Sequence, residues 1–198
     1  GEYYAGYLDA ARVLVDRFME PCERRAGSVV LLGDCGGIHG EYAKELSRLL
    51  ACLSLHVAGQ FPSYLALSEM QAVPAAELIV VLGRRSDEKQ ALLVDLAKHI
   101  HERFGTPYLA DVYAVGTEET KEWLRAVGRL CGREEAAEAA IRAEEASFER
   151  AVEEARRTLR GRRAAFAVGR DLNWFQPKII VRLLERAGVE LAGVVLLD

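Results

Sequence analysis

Three glycine-bearing segments of this 198-residue chain carry the residue types that could do chemistry. The first, Gly33-Asp34-Cys35-Gly36-Gly37-Ile38-His39-Gly40, sets a thiol and an imidazole among glycines. Placed between a strand and a helix, such a loop offers backbone N–H groups and the positive end of a helix dipole to an anion or a cluster. Its spacing is neither GxGxxG nor GxxxxGK[ST], so a plain glycine-rich turn stands beside the binding reading. Cys35 is the candidate metal ligand, because thiolate and imidazole suit iron or zinc. With His39 it supplies only two donors, and a tetrahedral centre needs partners from elsewhere.

The second segment, Gly83-Arg84-Arg85-Ser86, offers two guanidinium groups able to clamp a carboxylate or phosphate; solvated surface arginines are the bland alternative. The third, Gly169-Arg170-Asp171-Leu172-Asn173-Trp174, could form an opposite wall. His99 and His101 stand two apart and so on different faces of a helix, which prevents them from sharing one ion. No GxSxG elbow is present to support acyl transfer.

The elements around these segments place all three at the ends of strands. Ser28-Val-Val-Leu-Leu-Gly33 and Glu77-Leu-Ile-Val-Val-Leu82 are continuous apolar runs, as expected of strands buried on both faces of a parallel sheet. Arg163-Ala-Ala-Phe-Ala-Val168 reads the same way, Leu53 to Ala58 is strand-like, and Thr106 to Ala110 is a short strand. Amphipathic spacing predicts a lead-in helix from Leu8 to Glu20, a helix over Glu41 to Leu53, and one from Ser86 to about Phe104. A short helix opens at Phe61-Pro62-Ser63. Thr117 to Leu130 and the Ala/Glu/Arg-rich stretch Arg133 to Leu159 read as two helices with solvated faces, since apolar residues are too sparse for a coiled-coil seam. Lys178 to Ala187 is a helix and Val189 to Leu197 a strand.

This alternation predicts an α/β fold of Rossmann-like parallel sheets with flanking helices. Ligands then sit beyond the carboxyl ends of the strands. Three regions are expected: a Rossmann-like βαβ domain with its lead-in helix over 1–115, a charged helical connector over 116–160, and the start of a second βαβ domain over 161–198, truncated by the end of the chain. Asp34, Cys35, Gly36, Gly37, Gly83, Arg84, Arg85, Ser86, Gly169 and Arg170 form the expected ligand-facing set.

Composition narrows the function further. With 26 basic and 30 acidic residues mixed along the chain, the net charge of −4 leaves no broad positive field for nucleic acid. Apolar runs such as Leu78 to Leu82 fall far short of the roughly 20 residues that span a bilayer. Four separate cysteines with no CxxC pair and no secretion signal suit a reducing, cytoplasmic setting.

The order of segments from Val29 onward resembles the α-type subunits of the nitrogenase component 1 family and their cofactor-assembly and protochlorophyllide or chlorin reductase relatives. The likeness runs through Val29-Val-Leu-Leu-Gly-Asp34, Leu55-His-Val-Ala-Gly-Gln60, Val73-Pro-Ala-Ala-Glu-Leu-Ile-Val-Val81, Arg103-Phe-Gly-Thr-Pro-Tyr108 and Gly116-Thr-Glu-Glu-Thr-Lys-Glu-Trp-Leu124. Leu159 to Gly169 and Leu184 to Gly193 complete it. The resemblance implies a nitrogenase iron–molybdenum protein-like fold and a fragment covering a middle domain and the start of a third. It also implies an oxidoreductase subunit paired with a homologous component 1 type subunit, fed with electrons by an ATP-dependent, P-loop iron–sulfur reductase. An iron–sulfur or related metallocluster is implied for the full-length complex, with no complete ligand set in this fragment and no turnover by it alone. A cofactor-assembly scaffold or small-anion-binding α/β module is the alternative. Two positions depart from the family pattern: Gly83 stands where nitrogenase α subunits carry the cofactor cysteine, and Tyr7 where they carry a histidine beside the cofactor. Both speak against dinitrogen reduction.

Overall fold

The computed structural model describes residues 2–33, 40–83, 88–169 and 177–197. The chain divides into two compact units, Gly1–Ala140 and Ile141–Asp198.

In the first unit, helix α1 (Glu2–Phe18) precedes β1 (Arg25–Leu32), α2 (Glu41–Ala51) and β2 (His56–Phe61). A 3-10 turn over Leu67–Glu69 and the short α3 (Ala72–Ala75) lead into β3 (Ala76–Val81), α4 (Glu88–Phe104), β4 (Tyr108–Leu109) and α5 (Thr117–Cys131). The four strands form one sheet in the order β2-β1-β3-β4, every neighbouring pair parallel. Val29 to Leu32 and Leu78 to Leu82 are almost wholly buried, which explains their unbroken apolar run: the sheet is covered on both sides. On one side Leu8, Ala11 and Val15 of α1 and Leu93, Leu96 and Ile100 of α4 close over Val30, Leu32, Ile79 and Val81. Each such side chain withdrawn from water contributes roughly 1.5–3 kcal/mol before chain entropy is counted. Helix α2 buries its own stripe of Ala43, Leu46, Leu49 and Leu50, and packs against β2.

Helix α6 (Glu134–Leu159) follows the αL cap at Gly132. A Cβ on Gly128 of α5 would come within 2.8 Å of the Ala137 Cβ, so the two helices meet where one has no side chain. In the second unit β5 (Arg163–Gly169) and β6 (Glu190–Leu197) pair in parallel, connected through α7 (Pro177–Arg186). Arg156 donates to the Arg186 carbonyl at the end of α7, and Arg186 pairs with Glu149.

Several boundaries differ from the sequence reading. Helix α1 starts at Glu2 rather than Leu8: its first turns carry Tyr4 and Tyr7, half-buried against the core, which the aliphatic spacing from Leu8 does not include. Strand β2 lies at His56–Phe61, not Leu53 to Ala58, because residues 52–54 continue the turn after α2, with Leu53 N–H donating to Leu50 O and Ser54 in the left-handed region at φ 56°. The short helix expected at Phe61 comes later, since Phe61 is the last strand residue.

Candidate functional site

The path of the chain through the sheet marks where a ligand belongs. β1 is followed by α2 and by β2 on one side; the chain then returns past β1 to lay β3 on its other side. Helix α4, which follows β3, closes over the apolar cluster that also holds α1, while the buried stripe of α2 lies outside that cluster. The carboxyl ends of β1 and β3 are therefore a topological switch point, the position at which open parallel sheets bind ligands.

Two glycines end these strands, both in the left-handed region. Gly33 has φ +116°, and a Cβ there would stand 3.0 Å from the Leu93 side chain of α4. Its N–H donates to Phe61 O at 2.8 Å, and its carbonyl accepts from Gln60 Nε2 at 2.7 Å. Gln60 is completely buried, and its other amide atom, Oε1, has no hydrogen-bond partner among the described residues. An unsatisfied buried acceptor of this kind costs about 1–3 kcal/mol.

Gly83 has φ +134°, and a Cβ built on it would lie 1.7 Å from Gln90 Oε1 and 2.6 Å from Gln90 Cδ. Gln90, on the first turn of α4 and 8% exposed, is held by donating from Nε2 to the Tyr113 hydroxyl at 2.7 Å. Tyr113 in turn donates to Ala110 O, just beyond β4. Farther along the edge the hydroxyls of Tyr7 and Ser63 are hydrogen-bonded, tying α1 to the turn after β2. These five side chains, Gln60, Gln90, Tyr113, Tyr7 and Ser63, are two carboxamides, two phenols and a serine.

Gly33 and Gly83, both expected at strand ends from the sequence, lie just beyond the ends of adjacent strands β1 and β3. Gly169 is the last residue of β5, in the second unit. Asp34, Cys35, Gly36, Gly37, His39, Arg84, Arg85, Ser86 and Arg170 lie outside the described residues. Gln60, Gln90 and Tyr113 were missed. Their only sequence signal is a glutamine closing a strand and another opening an amphipathic helix, neither of which announces a buried amide.

At the opposite, amino edge lies a polar group of another kind. Glu77, one residue into β3, accepts from the Gly27 N–H and pairs with Arg133 Nη1 at 2.5 Å. Arg133 also donates to Cys131 O, fixing the turn between α5 and α6. Burial disfavours the Glu77 carboxylate, but the hydrogen bonds from Arg133 and Gly27 outweigh it and hold its pKa below the usual range. Burial, with the negative Glu77 beside it, pushes the Cys131 thiol up to about 11. A cleft of about 490 Å³ bordered by Leu53, Ser54 and Arg133 opens beside this group. It has no strand-end loop and no switch point, so it ranks below the carboxyl edge as a ligand site.

The family model described as nitrogenase component 1 type oxidoreductase matches residues 1–197. The chain belongs to this family. It is 29% identical over 174 residues to the nitrogenase molybdenum-iron protein alpha chain of Methanococcus maripaludis, an alignment that takes in 88% of this chain and 35% of that protein. Among solved structures it is similar to one described as nitrogenase Cp1 at pH 5, with a TM-score of 0.64 and 20% identity over 98% of this chain and 37% of the other. A possible iron-binding (periplasmic solute-binding) protein from Staphylococcus epidermidis shares the fold at a TM-score of 0.52 and 13% identity, over 85% of this chain and 67% of that one. The chain thus spans about a third of the length of its nitrogenase relatives. Among its described residues no helix is long and apolar enough to cross a membrane.

A thiolate-held metallocluster, which the family resemblance implies, is not matched by the described carboxyl edge. Position 83 has no side chain, the space beside it holds a carboxamide, and no group of three or more His, Cys, Asp and Glu side chains among the described residues could hold a metal ion. Iron–sulfur clusters are held by cysteine thiolates, and neutral carboxamides do not replace them.

Proposed function

We propose that this chain is part of a nitrogenase component 1 type oxidoreductase subunit and that its carboxyl edge lines a substrate cavity of the full-length protein. The observation carrying this reading is the family match across residues 1–197 together with the switch point at Gly33 and Gly83, where loops of this fold meet their ligands. The working unit is a complex with a homologous component 1 type subunit in a cytoplasmic setting. Electrons arrive from an ATP-dependent, P-loop iron–sulfur reductase. The role of the present residues is to bind and orient: Gly33 and Gly83 let neighbouring side chains pack directly against the backbone after the strands, while Gln60, Gln90 and Tyr113 hold their places by hydrogen bonds around them.

The full-length protein, mixed with its electron donor and ATP, tests the proposal. Substrate-dependent ATP hydrolysis and oxidation of the reduced donor are expected; donor oxidation that stays at background in the presence of every candidate substrate refutes it. The glycine at position 83 favours a second reading, a non-catalytic scaffold or small-anion-binding module in which Arg84, Arg85 and the glycine loop at 34–37 hold the ligand. Tight ligand binding without turnover in the same experiment would select it.

A further inference from the structure

The side-chain volume beside Gly83 is not empty space awaiting a ligand-bearing residue, because the Gln90 carboxamide fills it. Oε1 lies 1.7 Å, Cδ 2.6 Å and Nε2 3.1 Å from where a Cβ at position 83 would stand. Gln90 is not a loose surface chain able to swing aside at no cost. It is nearly buried on the first turn of α4 and tethered through Tyr113 to the Ala110 carbonyl, so moving it breaks a hydrogen-bonded relay. The backbone imposes a second bar, since φ +134° is a region that L side chains rarely adopt. Positions 83 and 90 are thus sterically coupled: a glycine where the strand ends, and a long neutral amide folded over it.

We infer that in this protein position 83, just past β3, contributes no metal ligand and is closed to one by the Gln90 carboxamide of α4, so that a molecule lodged beside Gly83 is met there by backbone and carboxamide hydrogen bonds. The corresponding ligand class is a molecule with its own N–H, O–H or carbonyl groups, rather than a cluster anchored here through sulfur. This rests on reading the carboxyl edge as the ligand-facing side, but not on the source of electrons.

A double-mutant cycle on the chain tests it. Gly83→Cys is expected to lower the folding equilibrium constant by at least about tenfold, as overpacked and strained sites do, and to bind no more iron than the unaltered chain after anaerobic reconstitution with ferrous iron and sulfide. Combining it with Gln90→Ala, which removes the occupying amide, is expected to recover roughly fivefold relative to the sum of the two single losses. Gly83→Cys as stable as the unaltered chain, or strictly additive losses, would overturn the inference. Should neither cysteine variant fold, the unaltered chain decides: nuclear Overhauser contacts between the Gln90 side-chain amide and the Gly83 α-protons support the inference, and their absence in the folded protein overturns it. Lack of electron transfer in the full-length complex would leave all these readouts unchanged, which separates failure of this inference from failure of the oxidoreductase reading.

Discussion

Replacing Glu77 by glutamine should cost stability in a way that disappears in acid. The carboxylate is the shared acceptor for two donors that have no better partner. The Gly27 N–H sits where β1 slips register against β3 between Arg25 and Val29, and Arg133 reaches down from the α5–α6 turn. Both partners of the ion pair are mostly buried, Glu77 at 20% and Arg133 at 23% side-chain exposure, so the pair is neither a screened surface contact nor a fully desolvated one. Hydrogen bonds to charged groups contribute about 1.5–3 kcal/mol each. A neutral amide keeps a weakened bond to Gly27 and loses the charge, which puts the expected loss for Glu77→Gln at roughly 2 kcal/mol near neutral pH. Because the folded pKa is lowered, this contribution is fully present above the unfolded value near 4.5 and is lost as pH falls through the folded value. Urea unfolding of the two proteins at pH 7 and again near pH 3 measures it. The difference of roughly 2 kcal/mol should shrink to a few tenths in acid. A loss of the same size at both pH values, or one below about 0.5 kcal/mol at pH 7, would refute the account, since the carboxylate charge would then contribute nothing.

Two further outcomes follow from buried groups. Gln60→Glu places an ionisable group in a fully buried site beside the Gly33 carbonyl. Burial raises a carboxyl pKa, so the variant should be destabilised by several kcal/mol at pH 8 and much less near pH 4, where the protonated acid can still donate to Gly33; pH-dependent thermal melts check this. With its thiol pushed up to about 11, Cys131 should resist iodoacetamide at pH 8 while the exposed Cys22 and Cys52 are alkylated, as site-resolved mass spectrometry would show.

What the sequence discloses and what it conceals divide along a physical line. β1 and β3 are legible because burial on both faces forces an uninterrupted apolar run, and that run, ending at Gly33 and at Leu82 before Gly83, also locates the switch point. β2 is displaced in the sequence reading because its buried half reads Gly59-Gln60-Phe61 ahead of a proline, a turn-like string. Gly59 is there for a tertiary reason, as a Cβ would come within 2.4 Å of Leu65. The carboxamides of Gln60 and Gln90 are equally silent in one dimension, since a glutamine is ordinarily a surface residue and only contacts remote in the chain make these two interior. The pairing of Glu77 with Arg133, 56 residues apart, is invisible for the same reason.

The return of the chain past β1 has an evolutionary corollary. Since the apolar core of the sheet is built on Val29 to Leu32 and Leu78 to Leu82, sequence beyond Gly33 and Gly83 can diverge without altering that run, provided both glycines are kept. One scaffold can therefore exchange one guest for another without having to learn again how to fold.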